Sequence, residues 1–166
     1  LRQRHDRAGE RVEIARGLPG QEDLGARFLT ASVLGLSFTT IYVPNGKSVS
    51  HDDFPRKLAW LDQLAGRLDA AARGERPAIL CGDFNVCPGP LDTWNEPELH
   101  GSLFHTEEER SRLARLFASG WQDLLRAKHP DLRAFSWWDY RAGDFHQGRG
   151  LRIDLLLGTG AVARRV

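Results

Sequence analysis

The sequence has no methionine and only two cysteines among its 166 residues. Two thiols are too few for a disulfide-stapled scaffold and fit a reducing compartment. A chain without methionine that begins at Leu1 does not start at a translation start, so we expect a processed chain or a fragment of a longer protein. No apolar run approaches the roughly 18 residues that span a bilayer, and the polar first residues do not form a signal peptide.

A strong excess of one charge sign is also absent. Lys and Arg number 23 and Asp and Glu number 22, which gives a net charge of +1. This balance offers no global basic field for nucleic acid, although a local basic face stays open. The composition, 41% hydrophobic and 27% charged, suits a packed core, and the length suits a single domain over residues 1–166.

Several motifs that would assign chemistry are missing. Gly46-Lys47-Ser48 matches the end of a phosphate-binding P-loop, but Ile41 stands where its first glycine belongs. No G-x-S-x-G nucleophile elbow occurs, and neither the histidines nor the cysteines have the spacing of a zinc site. P-loop, α/β-hydrolase and zinc chemistry are therefore not indicated.

The hydrophobic pattern predicts strands that interleave with helices. Apolar residues at three- and four-residue steps predict a helix over 54–73, and a capping box at Thr106 and Glu109 predicts another that ends at residue 118. A short helix is expected over 121–127. Strands are predicted over 11–15, 27–34, 36–43, 77–81, 134–140 and 151–157. This order indicates an α/β or α+β class with a mixed sheet.

The most informative segment is 78–85, where an apolar strand runs directly into Gly82-Asp83-Phe84-Asn85. Residues two apart in an extended chain share a face, so Asp83 and Asn85 would point into one cleft at the end of a strand. A carboxylate there can bind a hard cation or accept a proton from water, and a carboxamide can donate to a phosphoryl oxygen. The alternative is an Asx turn in which either side chain caps the backbone.

Two further strand ends carry polar side chains. Tyr42 ends a strand and Asn45 lies on the turn that follows, and both can donate to phosphate. A tyrosine packed above an ordinary turn is the alternative. Asp154 stands in an apolar strand, where a buried carboxylate needs a partner. Arg152 on the same face can be that partner, and an Arg–Asp pair inside the strand is the alternative to a role in the site.

Residues 135–141, Phe-Ser-Trp-Trp-Asp-Tyr-Arg, are dense in aromatics. Alternation along a strand would place Trp137 and Asp139 on one face and Trp138 and Tyr140 on the other. One face can then fill the core while the other stacks on a base or sugar. Core packing alone is the alternative.

In this order, the segments Y-V-P-N-G, G-D-F-N, F-S-W-W-D-Y-R and R-G-L-R-I-D-L-L-L resemble the exodeoxyribonuclease III family of the endonuclease/exonuclease/phosphatase superfamily. The resemblance runs over residues 11–157. It implies a DNase I-like, four-layer α/β sandwich of two mixed sheets flanked by helices. It also implies a DNA-repair nuclease, dependent on Mg²⁺ or Mn²⁺, that cleaves 5′ to abasic sites and acts as a 3′→5′ exonuclease and 3′-phosphatase.

The resemblance also assigns roles to residues of this sequence. Tyr42 and Asn45 would contact the phosphate. Asp83 would orient or deprotonate the attacking water, Asn85 would stabilise the transition state, and both would be metal ligands. Asp154 would pair with a catalytic histidine. The apolar wall around a flipped-out abasic sugar would be formed by Trp137, Leu151 and Ile153.

The chain departs from the family pattern at both ends. The strand with the main metal-binding glutamate would lie before Leu1, and a Ser-Asp-His segment would lie after Val166. We therefore expect a partial domain that lacks an edge strand from each sheet and is essentially inactive alone. The expected partner is double-stranded DNA with abasic sites or 3′ ends, bound by a monomer in the bacterial cytoplasm, at the nucleoid, without membrane contact. Two alternatives stay open, namely a superfamily phosphatase or phosphodiesterase for lipid or nucleotide, and an inert nucleic-acid-binding module.

Overall fold

A computed structural model describes residues 2–5 and 11–166, with side chains from residue 14 onward. The strands are β1 (Arg2–His5), β2 (Arg11–Arg16), β3 (Phe28–Val33), β4 (Leu36–Tyr42), β5 (Ala78–Asp83), β6 (Gln122–Asp123) and β7 (Asp154–Gly158). The helices are α1 (Asp53–Arg73), α2 (Glu96–Leu99), α3 (Glu107–Ser119), α4 (Leu124–Lys128) and α5 (Gly160–Ala163). No helix among the described residues is long and apolar enough to cross a membrane.

The seven strands form one mixed sheet in the order β1-β2-β3-β4-β5-β7-β6. β4 and β5 are parallel, and α1 connects them. The other neighbouring strands are antiparallel. Because β4 and β5 point the same way, the loops that follow them meet at one edge of the sheet.

Helices α1 and α3 cover one face of this sheet. Thr106 and Glu109 cap α3 with the predicted capping box, and Gly120 ends the helix in a left-handed conformation with φ of 119°. The main core joins the two helices to the inward residues of the strands. Its members include Trp60, Leu61, Leu64, Leu113, Leu116, Phe28, Ile41, Leu80, Leu155 and Leu157.

The opposite face of the sheet keeps apolar side chains in solvent. Leu29, Phe38 and Leu156 lie on neighbouring strands of this face and are 40% to 45% exposed. Side chains alternate between faces along a strand, so these residues point away from α1. We call the surface that Leu29, Phe38 and Leu156 form among the described residues the open face.

Three sequence-based expectations need correction. The resemblance implied two sheets, but the strands of the described residues join in one. The predicted strand over 134–140 is a loop with a single bridge between Trp137 and Leu151, followed by a 3-10 turn at Tyr140–Ala142. The predicted helix over 121–127 divides into β6 and α4 because Asp123 caps α4 through the Arg126 N–H.

Candidate active site at one edge of the sheet

Tyr42, Asp83 and Asp154 form a row across three neighbouring strands. In the register of the sheet, Asp83 of β5 pairs with Tyr42 of β4 on one side and with Asp154 of β7 on the other. The Val43 N–H donates to the Asp83 carbonyl over 2.8 Å, which holds the two strand ends together. Residues paired in this way share a face, so the row lies on the edge of the open face.

Gly82 allows this close approach. Its φ is 127°, and a Cβ built there would lie 2.1 Å from the Ile41 carbonyl oxygen. Any other residue at this position would push β5 away from β4. The glycine of the Gly-Asp-Phe-Asn segment therefore keeps Asp83 beside Tyr42.

Asn85 is the most constrained polar residue of the site. It is 2% exposed and has a left-handed φ of 49°, which asparagine tolerates better than most residues. Its backbone N–H donates to Asp83 Oδ1 over 2.8 Å, and its Nδ2 donates to the Val43 carbonyl over 2.8 Å and to Asp83 Oδ2 over 3.2 Å. The Asx turn considered as an alternative is thus present, and it is what holds the Asp83 carboxylate.

Asn45 reaches this cluster from the loop after β4. Its Nδ2 donates to Asn85 Oδ1 over 3.4 Å, while its Oδ1 accepts the Lys47 N–H over 3.0 Å. Asn45 is exposed, so its carboxamide is accessible to a ligand. The structure therefore brings together all five polar residues selected from the sequence, although they are spread between positions 42 and 154.

Asp83 has an unusual ionisation. The pKa of its carboxyl is raised to about 6, mainly by burial; the Asn85 N–H opposes this rise, the negative charge of Asp154 adds to it, and the positive charges of Lys57 and Arg27 oppose it. A carboxylate with a pKa near neutrality can exchange protons at physiological pH. This property favours a chemical role for Asp83.

The ion pair between Arg152 and Asp154, considered as an alternative, does not form, because Arg152 has other partners. Arg152 is buried, and its guanidinium donates to Asp92 over 2.7 Å and to Asp123 over 2.6 Å. The side chain of Asp154 is exposed, and its backbone N–H donates to Ser136 Oγ over 3.0 Å. Arg152 thus stabilises the strand from behind and leaves the Asp154 carboxylate available to the site.

Trp137 lies next to this row because Ser136 binds the start of β7. The backbones of Trp137 and Leu151 exchange two hydrogen bonds of 2.9 Å. The indole is 36% exposed and packs edge-on against Phe104, with ring centroids 6.4 Å apart. Leu151 and Ile153 are buried in a small second core with Phe104, so within the predicted apolar wall only the tryptophan presents much surface.

Sequence reasoning missed Arg27. Its guanidinium lies 4.6 Å from the Tyr42 ring centroid and donates to the Tyr42 carbonyl over 3.3 Å. Beside it, a cleft of about 470 Å³ is also lined by Arg16 and Thr40. Counting back from the turn at Gly35 places Arg27 opposite Tyr42, so hairpin register was the signal that could have found it.

Asp83 and Asp154 are the carboxylates of the row. The described residues contain no group of three or more His, Cys, Asp or Glu side chains that could hold an ion. Asp83 and Asp154 are nevertheless paired on the neighbouring strands β5 and β7, and the charge of Asp154 opposes ionisation of Asp83. Carboxylate oxygens are the ligands that hard divalent cations prefer, so this pair has the right chemistry for two ligands but is not a complete ligand set.

Comparisons with known proteins identify the family of this chain. Residues 6–166 match the family model described as endonuclease/exonuclease/phosphatase. Exodeoxyribonuclease III of Haemophilus influenzae is 34% identical over 166 residues, which cover 92% of this chain and 62% of that protein. The exodeoxyribonuclease of Bacillus subtilis is 30% identical over 148 residues, which cover 87% of this chain and 58% of that protein.

Solved structures give the same result for the fold. The 3′ phosphatase NExo from Neisseria, bound to a product DNA hairpin, superposes with a TM-score of 0.87 at 29% identity and covers 92% of this chain and 60% of that one. An AP endonuclease from Archaeoglobus fulgidus has a TM-score of 0.84 at 29% identity, again over 92% of this chain and 60% of that one. These scores confirm the predicted α/β fold. The chain spans about 60% of the length of these relatives.

Proposed function

Because the chain belongs to the endonuclease/exonuclease/phosphatase family, we propose that the protein that carries it is a DNA-repair nuclease of the exodeoxyribonuclease III type. It hydrolyses phosphodiester bonds of double-stranded DNA at abasic sites and 3′ ends, with Mg²⁺ or Mn²⁺. We propose that it acts on nucleoid DNA in the bacterial cytoplasm, as a monomer; its nuclease activity is supported by the bacterial exodeoxyribonucleases named above.

One observation supports this proposal above the others. The row of Tyr42, Asp83 and Asp154 lies in register at the same sheet edge where Asn45 meets Asn85. Hydrolysis of a phosphodiester needs a positioned water, a proton acceptor and donors to the developing charge. A carboxylate with a raised pKa, set among a phenol and carboxamides, provides these groups together.

Asp83 is the proton acceptor or orienting group for water. Two hydrogen bonds from Asn85 fix its carboxylate, so it meets a water molecule without having to reorganise. The Tyr42 hydroxyl and the accessible carboxamide of Asn45 are available to donate to phosphoryl oxygens. Tyr42 is 49% exposed, which leaves room for a bulky polymeric substrate beside it.

The role inferred for Asn85 is partly different from the expectation. Both N–H groups of its carboxamide already donate, one to the Val43 carbonyl and one to Asp83. Donation to a phosphoryl oxygen requires that the longer contact to Asp83 opens. Asn85 therefore first holds Asp83 in place and contributes to charge stabilisation only with substrate bound.

The metal belongs beside the same carboxylates. We infer that Asp83 and Asp154 provide oxygen ligands, and that the carboxamide oxygen of Asn85 becomes a ligand only if its weak contact to Asn45 is released. When bound, a divalent cation stabilises negative charge on the phosphate oxygens. Two carboxylates alone make a weak site, so we expect low affinity for Mg²⁺ and no tight stoichiometric zinc in the 166-residue chain.

DNA is recognised by side chains on either side of the row. Trp137 offers a partly exposed indole for stacking on a base or for contact with an abasic sugar, with Leu151 and Ile153 packed behind it. On the other side, Arg16 and Arg27 line the cleft next to Tyr42 and can bind backbone phosphates. This local basic face is consistent with a net charge of only +1.

Cleavage of defined DNA duplexes tests the proposal. The full-length protein is incubated with a duplex that carries one abasic site and with a duplex that ends in a 3′ phosphate, in Mg²⁺ or in EDTA. We expect incision and phosphate release with Mg²⁺ and neither in EDTA. Cleavage that ignores EDTA would contradict the proposed metal chemistry.

The same assay separates the alternatives. Phosphate release from inositol phosphates or nucleotides, without cleavage of DNA, would support the phosphatase alternative. DNA binding without cleavage of any substrate would support the inert binding module. The presence of Trp137 beside the row favours the nuclease.

A further inference from the structure

Lys57 places a fully buried ammonium group directly behind the site. It belongs to α1, its side chain has 0% exposure, and it approaches the site from the helix-covered side of the sheet. Its Nζ donates to the Asn45 carbonyl over 3.2 Å, to the Asn85 carbonyl over 2.6 Å and to the Glu109 carboxylate. All three protons of the ammonium group are thus used.

The two carbonyls belong to different loops of the site. Asn45 follows β4 and Asn85 follows β5. The hydrogen bond between their carboxamides is long, with 3.4 Å between Asn45 Nδ2 and Asn85 Oδ1. The hydrogen bonds from the Lys57 ammonium group to the two carbonyls are shorter than this contact between the carboxamides. One of these carbonyls belongs to Asn85, whose backbone is in a left-handed conformation. A group that binds both carbonyls fixes the separation of the two carboxamides.

Glu109 keeps this cation in place. Its carboxylate is equally buried and also accepts the N–H groups of Phe104 and Thr106 and the hydroxyl of Thr106. The Lys57 Nζ lies 4.8 Å from the Phe104 ring centroid, and that ring contacts Trp137. Through Phe104, the buried pair also adjoins the residue proposed to meet the DNA.

We propose that Lys57 is a positioning residue of the nuclease site, which sets the geometry of Asn45 and Asn85 through their backbone carbonyls. This inference rests on the proposed function. Burying an ion pair costs desolvation, and an apolar pair of similar volume often serves stability as well or better. Helices α1 and α3 already have another charged link, in which Arg112 donates to the Leu58 carbonyl and to Asp62.

The test compares variants of the full-length protein that break one or the other of these links. Lys57→Met alone leaves the Glu109 carboxylate buried without its cation, so the double variant Lys57→Met/Glu109→Gln is made beside it. Arg112→Met is the matched control, because it breaks a different charged link between the same two helices without touching the site. We expect the double variant to lose about 10²-fold in kcat on abasic DNA, with KM changed less than about threefold. The control should keep kcat within about threefold.

A second readout does not depend on turnover. The side-chain amide resonances of Asn45 and Asn85, assigned by substitution, should shift in the double variant and stay in place in Arg112→Met. Unshifted amides in the folded double variant, or equal losses of kcat in the double variant and the control, would overturn the positioning role. Wild-type protein that cleaves neither duplex would refute the proposed function, while the amide shifts would still decide the role of Lys57.

Discussion

The two faces of the sheet are built from alternate residues of the same strands, yet they have different surroundings. On the helix-covered face, Ile41, Leu80 and Leu155 are buried against α1 and α3. On the open face, Phe38 and Leu156 remain partly in solvent, and the row of candidate site residues lies along one edge.

Along one strand, residues that stabilise the fold therefore alternate with residues that lie in the candidate site. Ile41 is in the core and the next residue, Tyr42, is in the site; a substitution at one should therefore leave the other largely intact. The separation ends at Lys57, which belongs to the covered face but binds the loops of the site. Substitutions on each face test whether stability and turnover respond separately.

The largest expected effect is on the covered face. Leu80→Ala removes a completely buried side chain from the main core and should lower the free energy of unfolding by about 2–5 kcal/mol. Chemical denaturation measures this loss. The turnover of the molecules that remain folded should change little, and a selective loss of turnover would show that the two faces are coupled.

At the edge of the open face, Tyr42→Phe should affect turnover instead. The substitution removes a hydroxyl proposed to donate to phosphate, so we expect kcat to fall by about 10- to 100-fold. Because the side chain is half exposed, the free energy of unfolding should stay within about 0.5 kcal/mol of wild type. Steady-state kinetics on abasic DNA check the first value and denaturation checks the second. Unchanged kcat would remove Tyr42 from the proposed machinery.

Stability should also depend on pH through Asp83. Its folded-state pKa of about 6 lies above its ordinary value, so the folded protein binds more protons than the unfolded one between about pH 4 and pH 6. Its contribution to stability is present below this window and is lost as the pH rises through it, by about 1–2 kcal/mol after allowance for partial exposure. In EDTA, Asp83→Asn should flatten this slope, and parallel curves for the two proteins would contradict the raised pKa.

The smallest effect is expected in the middle of the open face. Phe38→Ser in the 166-residue chain should cost less than about 1 kcal/mol, because the ring is already 42% exposed. The midpoint of urea unfolding measures the change. A loss as large as that of Leu80→Ala would mean that this face is packed in solution.

The order of elements and the core of the site could be predicted from local sequence. Asp83 and Asn85 come at the end of an apolar strand, and their side chains meet as predicted. They meet through the Asx turn considered as the alternative and not through extended alternation, because Asn85 has a left-handed φ of 49°. The capping box at Thr106 was likewise predictable, because a helix start is determined by neighbouring residues. The individual roles assigned to the site residues remain predictions.

Contacts between distant segments could not be predicted in the same way. Arg152 lies two residues from Asp154, but its partners, Asp92 in a 3-10 turn and Asp123 in β6, are 60 and 29 residues away. Lys57 depends on three segments that meet only in the folded protein. Strand alternation identifies the face of a residue, whereas these partners depend on how helices and loops pack over that face.

The role of Asp83 is the central claim, and one pair of measurements on Asp83→Asn tests it directly. The affinity for abasic duplex DNA and the turnover with Mg²⁺ are measured on the same preparation of the full-length protein. We predict that the variant binds the duplex within about threefold of wild type and loses at least about 10²-fold in turnover, because the proton acceptor is gone while the surfaces that meet DNA remain. An Asp83→Asn protein that cleaves the duplex at the wild-type rate would show that Asp83 does not accept a proton from, or orient, the attacking water.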